Sequence, residues 1–105
     1  MPATERGEVW LADLGMVAKV RPVLVISIEP ADVDRALIGI VPHTTSVRGS
    51  RFEVASSAPF LRAGAFDAQN IVSVPTTKMI KRLGRLSEKE FGDVMFAVRQ
   101  WLGIA

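Results

Sequence analysis

Arg21 and Pro22 stand at the mouth of the apolar run Val23-Leu24-Val25-Ile26, where a permanent cation could hold a phosphate. A guanidinium stays protonated, and its planar fork matches phosphate oxygens. Pro22 fixes its own φ and pushes Arg21 towards extended backbone, so the charge is aimed. A second apolar run ends in Val41-Pro42-His43-Thr44-Thr45-Ser46, which brings hydroxyls and the only histidine to another strand end. His43 has an unperturbed pKa near neutrality and is the natural general-base candidate. Thr44 and Thr45 can donate to a phosphate or satisfy local backbone. Gln69 and Asn70 carry amides suited to base edges, and Asp67 follows Phe66 where it could orient a base or cap a bend.

These groups must be positioned by few elements, because the chain has only 105 residues. That length suits one domain, over residues 1–105, with a modest core. Hydrophobic residues make up 49% and no tract is of low complexity, so the chain should fold. Cysteine is absent and histidine occurs once, which argues against a protein-built zinc site; no cofactor is expected. No apolar stretch reaches the ~18 residues of a membrane span, and the N-terminus lacks a signal-peptide core. The expected location is the cytoplasm.

The elements follow from periodicity. Glu8–Leu14, Pro22–Ile28 and Leu37–Val41 read as strands, the third ended by Pro42, and the second buried on both faces. Arg51–Val54 alternates as a half-exposed strand, and Ala65–Val74 holds one or two more. Ser87 and Glu90 form a capping box for a helix whose apolar stripe is Phe91, Val94, Met95, Val98, Trp101 and Leu102, stopped by Gly103. Short strands with one terminal helix predict a mainly β fold: a small, strongly bent sheet or partly open barrel.

Net charge is +2, but its distribution says more. Lys78, Lys81, Arg82 and Arg85 form a run without an acid; Arg48 and Arg51 flank a Gly-Ser turn; Lys19 lies beside Arg21. Acids gather between Glu29 and Asp34 and near Glu88–Asp93. Such segregation suits a polyanion on one face. No phosphate loop, metalloprotease helix, nucleophile elbow or paired-carboxylate motif is present. The residues alone define a small basic β-rich domain with a phosphate site, and leave binding and cleaving both open.

The chain resembles the MazF/PemK/Kid family of toxins from bacterial toxin–antitoxin pairs. The pieces occur in family order: Arg6-Gly7-Glu8-Val9-Trp10-Leu11-Ala12-Asp13-Leu14, Arg21-Pro22-Val23-Leu24-Val25-Ile26-Ser27, Ile40-Val41-Pro42-His43-Thr44-Thr45-Ser46, Phe52-Glu53-Val54, and Gly64–Val74 with Gln69 at a common glutamine. The resemblance implies a CcdB/MazF-like, SH3-like barrel of short, strongly bent antiparallel strands. It implies a homodimeric, sequence-specific, metal-independent endoribonuclease that cuts single-stranded RNA to 2′,3′-cyclic phosphate ends. The acidic C-terminal segment of a cognate antitoxin would neutralise it.

By the same resemblance Arg21 is the catalytic arginine and Thr44 or Thr45 the catalytic threonine. From their charges and amides, rather than from the family, Lys19, Arg48, Arg51, Gln69 and Lys78 would bind RNA. His43 stands where relatives often have an apolar or other residue, and would replace a missing base. Family members often carry a longer first loop with a glutamate, whereas Gly15–Val20 is short and has none. Kid-like members use an Arg and an Asp in the later strand. Here those positions align with Phe66 and Ala68, which puts Asp67 on the opposite face. Two other functions share the fold class. A CcdB-like gyrase poison would act through Trp101 and its neighbours, and a non-catalytic nucleic-acid-binding barrel would bind with salt dependence and no product.

Overall fold

The computed structural model describes residues 3–15 and 19–104; residues 16–18 of the short first loop lie outside the described residues. Among the described residues seven strands precede one helix: β1 (Glu8–Asp13), β2 (Val20–Val25), β3 (Leu37–Thr44), β4 (Glu53–Ala55), β5 (Ala65–Asp67), β6 (Val72–Pro75), β7 (Met79–Arg85) and α1 (Glu88–Leu102). Every pairing is antiparallel, in the order β4-β5-β3-β2-β1-β7, with β6 also beside β3. β3 is the pivot. Its first half pairs with β6 and its last two residues with β5. A 3-10 turn at Ala68–Asn70 separates the two partners, so the sheet bends along β3.

Four strands have bounds other than those read from the sequence, β1 ending at Asp13 rather than Leu14. β2 begins at Val20 and ends at Val25, and β4 is Glu53–Ala55. β3 does not stop at Pro42 but continues to Thr44. Pro42 falls between the end of β6 pairing at Ile40 and the start of β5 pairing at His43. A residue without an N–H is tolerated where a neighbouring ladder is interrupted. β7 was hidden in the sequence by its cations. It pairs with β1, and two register shifts accompany that pairing.

The sheet is apolar on both faces. Val23, Leu24 and Val25 are each fully buried, as the continuous apolar run predicts. Val9, Leu24, Val41 and Phe66 pack with Val94, Ala97 and Val98 of α1. Trp10, Ala12, Val23, Val25, Ile38, Ile40, Val74 and Met79 fill the other side. Each fully buried aliphatic side chain contributes about 1.5–3 kcal/mol.

Helix α1 starts with the Ser87 hydroxyl accepting from Glu90 N–H at 3.2 Å. The reciprocal half of the expected box is replaced: the Glu90 carboxylate accepts from the Ser56 hydroxyl and from Ser57 N–H at 3.0 Å, tying the helix to that loop. Gly103 ends the helix in the left-handed region at φ 70°. Trp101 and Leu102 leave the buried stripe and stand 43% and 50% exposed, with Trp101 edge-on to Phe52 at 5.4 Å. Ala97 is the buried residue the stripe omitted.

Glu8 explains part of the basic run. It is buried and accepts from Glu5 N–H at 2.8 Å, Trp10 Nε1–H at 3.0 Å and Arg82 Nε–H at 2.6 Å. Burial pushes its carboxyl up, but those bonds and the Arg82 charge outweigh it and hold the pKa below the usual range. Arg85 pairs with Glu5 at 2.6 Å. Two of the run's four cations thus close β7 onto the N-terminal segment, so the run is not a bare polyanion-binding face.

Candidate functional site

Cross-strand register assembles the site. The pairs Ala12↔Arg21, Thr44↔Ala65 and Ala55↔Ala65 lie in one row. The β2–β3 register, carried two residues past Val23↔Pro42, sets Arg21 opposite Thr44. The adjacent row holds Trp10↔Val23↔Pro42 and Glu53↔Asp67. Because side chains alternate along a strand, both rows point to one face.

This face forms the floor of a groove of about 880 Å³, lined by Arg21, Thr44, Ser46, Arg48, Glu53, Asp67, Gln69 and Asn70. Leu14, Ile71, Val72 and Val74 make its apolar end. Ser46 N–H donates to Thr44 Oγ1 at 3.0 Å, so the threonine hydrogen is left to point elsewhere as a donor. Asp67 accepts from Gln69 N–H at 3.2 Å and from the Asn70 amide, which fixes the carboxylate at the head of the 3-10 turn. Glu53 accepts from Arg48 N–H at 2.9 Å and Ser50 N–H at 2.6 Å. Those backbone bonds hold its carboxyl below the usual range.

Of the residues marked by the sequence, Arg21, Thr44, Arg48, Asp67, Gln69 and Asn70 meet in the groove. Thr45 lies in the bend just past the end of β3, exposed and not among the lining residues. His43 is 3% exposed on the opposite face, edge-on to Phe66 at 5.2 Å. Its Nε2 has no hydrogen-bond partner among the described residues. Burial, and secondarily the Arg21 charge, push the imidazole below its usual pKa, so it is a neutral core group behind the groove. Arg51 lies over the Phe52 ring at 4.6 Å. Lys19 and Lys78 are exposed and outside the groove lining.

Asp67 corrects the sequence reading that placed it on the far face. Phe66 pairs with His43 and is buried with it, so the next residue must turn to the groove. Burial of Phe66 was the available signal: the large apolar residue of that short strand belongs inside. Glu53 was readable in part, since Arg51–Val54 alternates, but its loop bonds were not.

A family model described as PemK-like, MazF-like toxin of type II toxin-antitoxin system matches residues 5–102. A Mycobacterium tuberculosis protein named Probable endoribonuclease MazF5 is 36% identical over 88 residues, 79% of this chain and 78% of that protein. A solved mycobacterial endoribonuclease in complex with its cognate antitoxin is 26% identical, with TM-score 0.83 and 98% of both chains covered. The MazE–MazF structure (Form-II) from Deinococcus radiodurans, 20% identical, covers 100% of each chain at TM-score 0.84 and shows the same fold. With nearly its whole length matched, the chain belongs to the PemK-like, MazF-like toxins of type II toxin–antitoxin systems.

Proposed function

We propose that this protein is an endoribonuclease toxin that cuts single-stranded RNA in the cytoplasm without a metal ion. The observation that carries the reading is Arg21 set opposite Thr44 in a groove that also holds a fixed carboxylate, Asp67. The nucleophile is the RNA's own 2′-hydroxyl. Its oxygen bonds to the adjacent phosphorus as the bond from phosphorus to the 5′-oxygen breaks. Asp67 takes the 2′ proton, and the 5′-oxygen takes one from water in the open groove. Arg21 and the Thr44 hydroxyl face the charge that develops on the phosphoryl oxygens, where fixed donors act most strongly.

Unstacked bases can enter a groove of this size, whereas a duplex hides their edges. The cations Arg21 and Arg48 also suit the acidic segment of an antitoxin, whose occupancy would exclude RNA. Val20, next to Arg21, and Val72, in the groove lining, are 50% and 46% exposed, which favours pairing of two copies near the groove. We read residues 1–105 as a single toxin domain. No described helix is long and apolar enough to cross a membrane.

The deciding experiment is cleavage of a single-stranded RNA in EDTA, with end analysis and sedimentation on the same preparation. Cutting should persist, leave 2′,3′-cyclic phosphate, and disappear when the target is annealed. Loss of cleavage in chelator with recovery in magnesium would overturn the mechanism. A stable monomer with full activity would overturn the dimer.

A further inference from the structure

His43 is buried, titratable and outside the cleavage step. Its imidazole is 3% exposed, and among the described residues its Nε2 is the one buried side-chain nitrogen or oxygen without a hydrogen-bond partner. Orphans of this kind are rare in folded proteins, because an unmade bond in the core is costly.

The ring lies at the junction of β3 with β5. It stands edge-on to Phe66, its ladder partner, at 5.2 Å. Gly64 packs over its far end: a Cβ built there would come 2.8 Å from Cε1 and 3.1 Å from Nε2. The junction itself is small. β5 has three residues, and the pairs His43↔Phe66 and Thr44↔Ala65 are all that join it to β3. Those two pairs nevertheless set the site, since Phe66 beside His43 turns Asp67 to the groove, and Thr44 follows His43 along β3.

A proton would change this junction. Imidazolium carries N–H on both nitrogens, so Nε2 becomes a charged donor with no acceptor. The surrounding charges do not compensate. Arg21 on β2 is the charge that bears on the imidazole, and it repels a cation. Asp67 on β5 and Glu53 on β4 turn to the groove, and Arg62, ahead of Gly64, is exposed. From α1 this side of the sheet receives Val94, Ala97 and Val98. A buried cation so placed is relieved by water, and parting two ladder pairs admits water more cheaply than unfolding the sheet.

We propose that His43 is a positioning residue: its neutral imidazole holds β5 on β3, and its protonation parts them, separating Asp67 from Thr44 and stopping cleavage. This role rests on the endoribonuclease reading and adds to it a pH dependence set in the core. Burial, and secondarily Arg21, hold the imidazole below its usual pKa, so the folded protein resists a proton that the unfolded chain accepts. The order of β5 is therefore fully present above the unfolded value of about 6.5 and declines as the pH falls below it.

Because the chain has one histidine, a single imidazole resonance reports His43 in the intact wild-type protein. Between about pH 8 and pH 5 that resonance should titrate below the ordinary value of about 6.5, while the amides of Ala65–Asp67 lose protection from exchange. Cleavage should fall in step, by about tenfold per pH unit once His43 is mostly protonated. His43→Met, apolar and of similar volume, should move the acid limb of kcat/KM to lower pH. An imidazole that titrates at or above about 6.5, stays neutral down to about pH 5, or titrates while β5 remains protected overturns the proposal. An acid limb of His43→Met that coincides with that of wild type also overturns it. If the variant does not fold, the resonance and the exchange, both read on wild type, decide. If no RNA is cut at any pH, the endoribonuclease reading falls, and the same two measurements decide whether His43 holds the junction.

Discussion

Arg21→Ala should lose about 10²–10³-fold in kcat/KM for RNA while keeping its melting temperature near wild type. The guanidinium stands at the start of β2, and register sets it across from Thr44 on the groove floor. Its side chain is not part of either buried cluster, so truncation leaves the core packing in place. What disappears is a fixed positive donor at the phosphoryl oxygens. Removing one such donor costs about 3–4 kcal/mol in the transition state. Arg21→Lys should remain strongly impaired, because an ammonium is a point charge without the planar fork. Steady-state cleavage rates and a thermal melt on the same samples check both variants. An alanine variant within about threefold of wild type would remove Arg21 from the chemistry.

Gly64→Ala should be the most destabilising single methyl this chain can receive near the site. A Cβ there would lie 2.2 Å from the Thr44 carbonyl oxygen and 2.8 Å from His43 Cε1. Neither neighbour can give way cheaply. Thr44 is paired with Ala65 in the β3–β5 ladder, and His43 is sealed against Phe66. Overpacking of this kind costs about 3 kcal/mol or more, which for a domain of this size lowers the melting temperature by more than roughly 10 °C. Because the clash falls on Thr44 itself, cleavage should fall even at temperatures where the variant stays folded. Calorimetry or a circular-dichroism melt decides it. A Gly64→Ala protein that melts with wild type would show that β5 docks on β3 less tightly than its contacts imply.

Arg21 and Gly64 owe their weight to different levels of structure. Arg21 is legible from the chain: a cation fixed by the following proline at the mouth of an apolar run has a direction before any partner is known. The same holds for the helix cap at Ser87, the stop at Gly103, and the burial of Val23–Val25 on both faces. All are local, set by propensity and by periods of two and 3.6. Gly64 carries no such mark. Its importance comes from a carbonyl and an imidazole on a strand some twenty positions earlier, brought near only by β3–β5 pairing.

Pairing also decided which polar residues became a site. Alternation says that His43 and Thr44 face opposite ways, as do Phe66 and Asp67, but not which way faces the groove. The structure resolves this through Phe66, whose burial beside His43 turns Thr44 and Asp67 together to the open side. The sole histidine, chemically the most suggestive residue in the chain, is placed by the same register in the core. Charge behaves likewise. Arg82 and Arg85 look like free cations in the sequence, yet their acids, Glu8 and Glu5, lie on the N-terminal segment that β7 meets through β1. Residue type and spacing determine what chemistry is possible and which segments are extended. Register and long-range pairing determine which groups share a face, because a one-residue slip between strands exchanges the core side for the groove.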